Sequence, residues 1–280
     1  MSVGIWALIR AKLSAFVAPL ISRTQSTARV RVLAKPSNKL PVGMSARRLN
    51  ALASEMRVCE NYLEVGVAQG LTLEQIKVLH RWGVDPTPQF NTDKLPKGLK
   101  FYSQDSDSFF NELQASQKFN LVFLDGLHQW QQTYRDLINV LRHSDKETII
   151  VIDDVVPDDE LAAFPDWDQA LLMKDAAGIT DGRWQGDVFK VILAIAQGHP
   201  ELGFCTVTTH KPDDNPQAIV WIKDKSVTTF TSELLPQLEK QFADVTYSDV
   251  FVDGSVPEIF GLVDERRGIS IAIEGSHSRL

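Results

Sequence analysis

Three aspartates directly follow two apolar stretches of the chain. Asp125 ends FNLVFLD at residues 119–125, and Asp153 and Asp154 end ETIIVIDD at residues 147–154. If the two stretches are neighbouring strands of a parallel sheet, their carboxyl ends meet at one edge and the three carboxylates converge there. Clustered carboxylates repel one another without a cation, and oxygen ligands favour Mg²⁺, with Mn²⁺ as the second candidate. The alternative is that one or two of these acids cap helices or bind loop amides.

A histidine lies three residues after the first of these aspartates, in LDGLHQ. His128 is therefore expected in the first turn beyond the strand, over the same edge of the sheet as Asp125. A histidine near its ordinary pKa can accept a proton from a substrate hydroxyl at neutral pH. A lone histidine is more often a hydrogen-bonded structural group, but beside a carboxylate cluster we favour the role of general base.

A glycine turn follows an earlier apolar stretch, in YLEVGVAQGLTL. Glu64, Gly66 and Gly70 have the spacing E-x-G-x-x-x-G. Glycine permits a tight turn and the close approach of a ligand, and the N–H groups that open the next helix suit a polar or anionic group. Asp85 lies about 20 residues after Gly66 at the end of a second predicted strand, where an acid suits the two hydroxyls of a ribose.

The common nucleotide-binding motifs are missing from this turn. The sequence has neither the G-x-G-x-x-G of dinucleotide enzymes nor the G-x-x-x-x-G-K-[ST] of triphosphate-binding loops. We therefore expect an adenosine-type ligand without a pyrophosphate. After the third predicted strand, Asp105 and Ser106 offer groups that could meet the adenine edge, or they simply cap the next helix.

Short apolar runs alternate with helical patterns from about residue 60 onward. Strands are predicted at residues 61–67, 82–85, 99–104, 119–125 and 147–154, with helices between them, including one over 71–82. Such alternation predicts a parallel sheet covered by helices on both faces. Two further strands, at 204–210 and 217–224, are joined by the short KPDDNP and are therefore antiparallel neighbours. The predicted fold is α/β: a doubly wound, Rossmann-like sheet of about seven strands, mostly parallel, with a terminal antiparallel hairpin.

The C-terminal part of the sequence carries weaker signals. Residues 232–243 predict a helix interrupted near Pro236. The tail from Val245 shows no clear pattern. Its charged stretch DERRG, Asp264 to Gly268, is most simply a solvated turn.

Charge is unevenly distributed along the 280 residues, which carry a formal net charge of −7. No acid precedes Glu55, whereas nine bases do. We therefore divide the chain into a basic, partly helical extension at 1–50 and a main domain at 51–280, with its core at about 61–223 and a C-terminal helix and tail. The extension is expected to pack on the domain or on a second subunit of a homo-oligomer. Contact with an anionic membrane surface and a targeting peptide are the less favoured alternatives.

Composition excludes several other classes. The negative net charge argues against a nucleic-acid-binding protein. Arg10 and Lys12 interrupt the apolar opening, which makes it a poor transmembrane span, and no clear cleavage site marks a secretory signal. Cys59 and Cys205 lie far apart and have neither metal-ligand spacing nor the pattern of a disulfide framework. The expected compartment is the cytoplasm.

The glycine turn, the acid ending the second strand and the terminal hairpin together resemble class I S-adenosylmethionine-dependent methyltransferases, over roughly residues 61–223. The resemblance implies a seven-stranded sheet whose last strand is antiparallel. It also implies that Glu64, Gly66 and Gly70 shape the pocket for the methionine part of the cofactor and that Asp85 holds the ribose.

FLDGLHQW and VIDDVVP resemble a narrower branch, the metal-dependent macrocin- and mycinamicin-type sugar O-methyltransferases, whose pattern cephalosporin-hydroxylase-like proteins share. The resemblance implies that Asp125, Asp153 and Asp154 bind Mg²⁺ and that His128 is the base. Two adjacent aspartates are a mild departure, because some members have Glu followed by Asp at this place.

The stretch WQGDVFKVI also resembles this branch, but no role follows for Asp187 or Lys190, and Asp187 could simply cap its own helix. The predicted function is that of a Mg²⁺-dependent O-methyltransferase that uses S-adenosylmethionine to methylate a hydroxyl of a sugar or polyhydroxylated natural product. The alternatives are a hydroxylase on the same scaffold and a non-catalytic cofactor-binding protein that docks a partner through its N-terminal helix.

Overall fold

The computed structural model describes residues 31–33, 43–211 and 214–278. Most of the predicted extension at 1–50, including its helical opening, lies outside them. The described strands are β1 Asn61–Val65, β2 His80–Val84, β3 Leu99–Tyr102, β4 Phe119–Leu124, β5 Ser144–Ile152, β6 Leu202–Thr208, β7 Gln217–Ile222 and β8 Leu262–Asp264. The described helices are α1 Met44–Glu55, α2 Leu71–Gln75, α3 Ser106–Glu112, α4 Trp130–Arg142, α5 Trp167–Ala176, α6 Phe189–Gly198, α7 Leu235–Phe242, α8 Tyr247–Val250 and α9 Glu265–His277.

The strands form one sheet in the order β3-β2-β1-β4-β5-β7-β6-β8. Strands β1 to β5 pair in parallel, and β7 is antiparallel to both β5 and β6. The predicted doubly wound sheet with its antiparallel hairpin is therefore confirmed. It has one strand more than predicted, because β8 joins the edge in parallel with β6.

Helices cover both faces of the sheet, and each face has its own apolar core. Val122 and Ile150 belong to the core that includes α4 and α6. Their neighbours along the strands, Phe123 and Val151, belong to the core that includes α1 and α9. Because side chains of a strand alternate between faces, strands buried on both sides must be continuously apolar. This is why residues 121–124 of β4 and 149–152 of β5 are continuously apolar.

The helix predicted over 71–82 is wrong in its length. Helix α2 ends at Gln75, Ile76 is already extended, and β2 begins at His80. The buried guanidinium of Arg81 donates to the carbonyl oxygens of Leu73 and Glu74, at 3.0 and 3.3 Å. These bonds satisfy helix-end carbonyls that another helical turn would otherwise use.

The prediction of a solvated turn at Asp264 to Gly268 is also wrong. Asp264 caps α9 by accepting a hydrogen bond from the Arg266 amide at 2.9 Å. A Cβ atom at Gly268 would lie 2.1 Å from Cγ1 of Val207, so the helix packs directly on β6 through this glycine. Small residues facing the sheet give little hydrophobic periodicity, which is why the tail lacked a helical signal.

Helix α1 crosses the boundary set at residue 50. Its residues Ala46, Arg48, Leu49 and Leu52 are buried. The helix therefore packs as part of the main body on both sides of that boundary. No helix in the described ranges has the length and apolar character needed to cross a bilayer.

Candidate functional site

A cleft of about 820 Å³ opens at the carboxyl ends of β1, β2 and β4. Its walls come from the glycine turn, the loop after β2, the start of α3, the loop after β4 and the inner side of α4. Among its lining residues are five predicted for the cofactor and two predicted for catalysis: Glu64, Gly66, Asp85, Asp105, Ser106, Asp125 and His128. Gly70 lies beyond the lining, as the residue before α2.

The glycine turn is packed against the loop that follows β4. Gly66 has φ +82°, and a Cβ atom there would lie 1.8 Å from the carbonyl oxygen of Asp125. Gly70 has φ +71°, and its Cβ would lie 2.6 Å from Cδ2 of Leu33. Both positions combine a left-handed backbone with a close approach, which only glycine tolerates.

Asp85 holds the glycine turn in shape. Its Oδ2 accepts hydrogen bonds from the amides of Val67 and Ala68, at 2.9 and 2.8 Å. Its Oδ1 accepts one from the amide of Thr87 at 2.7 Å. Asp85 therefore couples the ends of β1 and β2 directly, in addition to the ribose contact predicted for it.

Glu64 lies on the floor of the cleft and is almost completely buried. Burial raises the pKa of Glu64 to about 8, although the hydrogen bond from the Tyr62 hydroxyl at 2.6 Å lowers it in part. The nearby carboxylate of Asp125 raises it again. Glu64 is therefore mostly protonated at neutral pH and adds little negative charge to the cleft.

Asp105 and Ser106 line the cleft at the start of α3, and Asp105 has the capping role considered for it. Asp105 caps α3 by accepting from the Ser108 amide at 2.8 Å. The hydroxyl of Ser106 accepts from Nε2 of Gln132, which also donates to Asp136 at 3.1 Å. Burial raises the pKa of Asp136 to about 6.

Gln132 and Asp136 line the cleft and were missed from the sequence. Both lie on the side of α4 opposite its apolar residues Leu137 and Leu141, where polar side chains are expected to face solvent and therefore give no signal of a site.

Two of the predicted acids meet the histidine at the far side of the cleft. Nδ1 of His128 lies 3.0 Å from Oδ2 of Asp154, and Nε2 lies 3.5 Å from Oδ1 of Asp125. One ligand atom from each of these three residues lies within 4.8 Å of the others. The ring of His128 thus lies between two carboxylates. We refer to Asp125, His128 and Asp154 as the acid–histidine cluster.

Asp153 is next to Asp154 in the sequence, but it does not belong to the acid–histidine cluster. Its Oδ1 accepts hydrogen bonds from the Asp154 amide at 3.0 Å and from Nδ2 of Asn215 at 2.8 Å. The predicted set of Asp125, Asp153 and Asp154 therefore does not converge as three equivalent ligands. His128 takes the third place in the group instead.

The backbone at the cluster is held in a conformation that non-glycine residues rarely adopt. His128 has φ +57° and Asp154 has φ +62°. A Cβ atom on Gly186 would lie 1.8 Å from the carbonyl oxygen of His128, so the loop before α6 packs tightly on this turn. The indole of Trp184 stacks on the imidazole with ring centroids 4.8 Å apart. Strain of this kind persists only where surrounding contacts impose it, and it concentrates at functional sites.

The charges in the cluster alter one another's protonation. Burial, followed by repulsion from Asp153, raises the pKa of Asp125 to about 6. Burial, followed by repulsion from Asp154, raises the pKa of Asp153 to about 7. Burial also raises the pKa of Asp154 to about 7, although His128 opposes the change. For His128, burial lowers the pKa, but the facing carboxylates of Asp154 and Asp125 outweigh it and bring the value to about 9. In the absence of a cation, the imidazolium is the positive charge that these acids face.

These shifts predict how stability depends on pH. Each carboxyl has a pKa above its unfolded value, so the folded protein binds more protons than the unfolded chain between about pH 4 and pH 7. Without a cation, the free energy of unfolding should therefore fall as the pH rises through this range. His128 extends the trend, because the stabilisation from its imidazolium is lost as the pH rises through about 9.

Thermal unfolding at about pH 6 and about pH 8 measures this dependence, in one series with a chelator and in a second series with Mg²⁺ and no chelator. The unfolding midpoint should be lower at the higher pH, and Mg²⁺ should raise it more there, because the ionised acids repel one another. Asp145→Asn, at the opposite end of the sheet, should leave the difference unchanged. A midpoint independent of pH and of Mg²⁺ would contradict the charge arrangement described here.

Asp187 has a structural role that differs from the one considered for it. Its Oδ1 accepts a hydrogen bond from the amide of Trp130 at 3.0 Å. Its Oδ2 lies 3.2 Å from Nζ of Lys190. Asp187 therefore caps α4, the helix that follows the acid–histidine cluster, rather than its own helix α6.

Comparison with known proteins identifies the domain. Residues 43–155 match the family described as Methyltransferase domain. This segment includes β1 to β5 and every predicted cofactor, metal and catalytic residue. The sequence-based identification of a class I S-adenosylmethionine-dependent methyltransferase is confirmed for this part of the chain. A search of curated proteins gave no match.

Several solved methyltransferase structures are similar to the chain at low identity. An O-methyltransferase from Bacillus cereus in complex with SAH is 14% identical, with a TM-score of 0.48 over 78% of this chain and 99% of that one. TomG from Streptomyces achromogenes, an O-methyltransferase involved in tomaymycin synthesis, is 13% identical, with a TM-score of 0.46 over 79% and 99%. The N-methyltransferase NodS from Bradyrhizobium japonicum is 13% identical, with a TM-score of 0.42 over 64% and 93%.

Proposed function

We propose that the protein is an S-adenosylmethionine-dependent O-methyltransferase that methylates a hydroxyl of a sugar or polyhydroxylated metabolite. The observation that carries this proposal is that Asp125 and His128 line the cleft beside the glycine turn and also belong to the acid–histidine cluster. A methyl donor in the cleft and a hydroxyl at the cluster would therefore be neighbours. Holding two reactants in the correct geometry can supply much of the acceleration of a transfer reaction.

The cluster has a donor set that fits a divalent cation. Its two carboxylates supply the oxygen ligands, since oxygens of Asp125 and Asp154 lie within 4.8 Å of each other, and a ring nitrogen of His128 lies within the same distance of both. Mg²⁺ or Mn²⁺ there would offset the repulsion between the acids and make a nearby hydroxyl more acidic. Because a ring nitrogen belongs to the group, iron also suits it, and an iron-dependent hydroxylase is the second candidate function.

His128 is the proposed general base. With a pKa of about 9 it is mostly protonated at pH 7 and serves as the charged partner of Asp154 and Asp125. Any positive charge that pairs with these acids lowers the pKa of the imidazole toward its ordinary value. The neutral ring can then accept a hydroxyl proton within the wall of the cofactor cleft.

Aromatic rings next to the cluster support a role in binding the acceptor. Trp184 stacks on His128, and Trp167 meets the edge of Trp184 with ring centroids 5.3 Å apart. The side chain of Trp167 is 43% exposed and so remains available to a ligand. Flat aromatic faces with a polar edge suit the apolar face of a sugar ring. We therefore assign the acceptor to the side of the cluster lined by residues 155–187.

The cellular context is a further part of the proposal. Cys59 and Cys205 are free thiols, which fits a reducing cytoplasm. A small hydroxylated acceptor is the proposed partner, and a homo-oligomer is the proposed assembly. Gel filtration with light scattering would test the assembly.

Calorimetric titration with S-adenosylmethionine tests the cofactor part of the proposal. Asp85→Asn should weaken binding at least about tenfold, a loss of about 1.4 kcal/mol or more, because Asn has one acceptor oxygen and its NH₂ group must face either the Val67 and Ala68 amides or the Thr87 amide. The matched control is Asp145→Asn, since Asp145 accepts the Glu147 amide at 2.9 Å at the opposite end of the sheet. It should bind like the wild type. Failure of the wild type to bind S-adenosylmethionine or S-adenosylhomocysteine would refute the proposal.

A further inference from the structure

A buried arginine stands at one end of a series of polar contacts that reaches the acid–histidine cluster. Arg48 in α1 has no exposed surface. Its Nε and Nη2 atoms each lie 2.8 Å from Oε2 of Glu265 in α9. Its Nη1 atom donates to Oε1 of Gln217 at 2.5 Å. Because an unpaired buried charge is costly, these partners fix the guanidinium and Gln217 with it.

Gln217 continues the series toward the acids. Its side chain lies near the Asp153 carboxyl and lowers the pKa of that group in part. Its Nε2 donates to the hydroxyl of Ser45 at 2.9 Å, which ties the start of β7 to α1. Nη1 of Arg48 also lies 3.4 Å from the carbonyl oxygen of Asn215. The arginine thus holds both the side chain of Gln217 and the backbone two residues before it.

Asn215 completes the series at the acid pair. Its Nδ2 donates to Oδ1 of Asp153 at 2.8 Å and to Oδ1 of Asp154 at 3.0 Å. A shared donor favours the charged form of both acids and holds them in one orientation. With Oδ1 of Asp154 engaged in this way, its Oδ2 is the oxygen that faces Nδ1 of His128 at 3.0 Å. Asn215 therefore determines which oxygen of Asp154 enters the cluster.

We infer that Asn215, Gln217 and Arg48 are positioning residues: Asn215 orients the Asp154 carboxylate for cation binding, and Arg48 and Gln217 hold Asn215 in place. The inference rests on the proposed function, which assigns a cation to this cluster. Asn215 contacts both acids through its Nδ2 donor, so this contact acts on a cation through the acids. The inference also gives a role to the convergence of α1 and α9 beside β7, since these helices supply Arg48 and Glu265.

The test measures Mn²⁺ affinity by calorimetry and electron paramagnetic resonance, without turnover. Asn215→Ala and Gln217→Met should each bind Mn²⁺ about 10–100-fold more weakly than the wild type, the usual effect of losing a partner behind a metal ligand. S-adenosylmethionine affinity should stay unchanged, because neither residue lines the cofactor cleft. The matched control is Asn120→Ala, which removes an amide that donates to Asp145 at 3.1 Å at the other end of β4. It should leave Mn²⁺ affinity unchanged.

Crystal structures of the wild type and Asn215→Ala provide a second readout that needs no cation. We expect the Asp154 carboxylate to turn away from His128 in the variant. If Asn215→Ala bound Mn²⁺ as tightly as the wild type and kept Asp154 in place, the inference would be overturned and the proposed function would stay intact. An equal loss of Mn²⁺ affinity in Asn120→Ala would have the same consequence. If the wild type itself bound no Mn²⁺, the cation part of the proposed function would fail, and the orientation of Asp154 alone would decide the positioning role.

Discussion

Gly66→Ala is expected to abolish cofactor binding while much of the sheet remains folded. The new Cβ would lie 1.8 Å from the Asp125 carbonyl oxygen, on a backbone with φ +82°. The left-handed conformation costs alanine about 1–2 kcal/mol, and the overlap adds about 1–3 kcal/mol. To relieve this overlap, the glycine turn and the loop after β4 must move apart. A displacement of about 1 Å in groups that position a ligand can cost about 100-fold in function. S-adenosylmethionine affinity and thermal unfolding together measure the effect.

Gly182→Ala is the matched control for this substitution. A Cβ at Gly182 meets no atom within 4 Å, and its φ is not positive. Its affinity for S-adenosylmethionine and its unfolding midpoint should equal those of the wild type. Near-normal cofactor affinity in Gly66→Ala would show that the contact between the turn and Asp125 does not shape the cofactor site.

His128→Ala should lower kcat by about 10²–10⁴, the range that a positioned general base contributes. Cofactor affinity should change little, because most of the cleft lining is untouched. Mn²⁺ affinity separates a base from a ligand. If His128 is a base, its imidazolium competes with the cation for Asp154 and Asp125, and His128→Ala should bind Mn²⁺ equally well or more tightly. If His128 is an essential ligand, the variant should bind Mn²⁺ more weakly. Single-turnover assays with labelled S-adenosylmethionine and Mn²⁺ titrations supply both measurements.

His80→Ala serves as the control, since His80 is exposed at the start of β2, at the opposite end of the strand from the cleft. It should retain full turnover. An unchanged kcat in His128→Ala would remove the base assignment and leave the cofactor cleft and the fold untouched.

The alternation of apolar runs was sufficient to predict the fold and the position of the cleft. The central stretches at 121–124 in β4 and 149–152 in β5 must be continuously apolar because both faces are covered, so they stand out in the sequence. Their carboxyl ends then bring Asp125 and Asp154 to one edge. Helix α9 could not be recognised this way, because it packs through Gly268 and Ala272, whose small side chains give a weak periodic signal.

Parts of the candidate site depend on contacts that spacing along the chain does not reveal. Asn215 is separated from Asp153 by 62 residues, and its amide contacts depend on the path of the hairpin loop. His128 and Asp154 both adopt positive φ, which turns their side chains toward each other in a way that strand periodicity does not predict. Asp153 and Asp154 are adjacent in the sequence, yet adjacent residues leave a strand end in different directions, so the spacing does not show that only Asp154 faces His128.

A crystal structure with S-adenosylhomocysteine and Mn²⁺ tests most directly the claim that one cleft joins a methyl donor to a cation-binding cluster. The cofactor product should occupy the cleft between the glycine turn and α4, and the anomalous signal of Mn²⁺ should lie between the carboxylates of Asp125 and Asp154. The sulfur should then face the cluster. A ligand bound elsewhere, or Mn²⁺ bound away from these two aspartates in crystals that contain the ligand, would contradict the account.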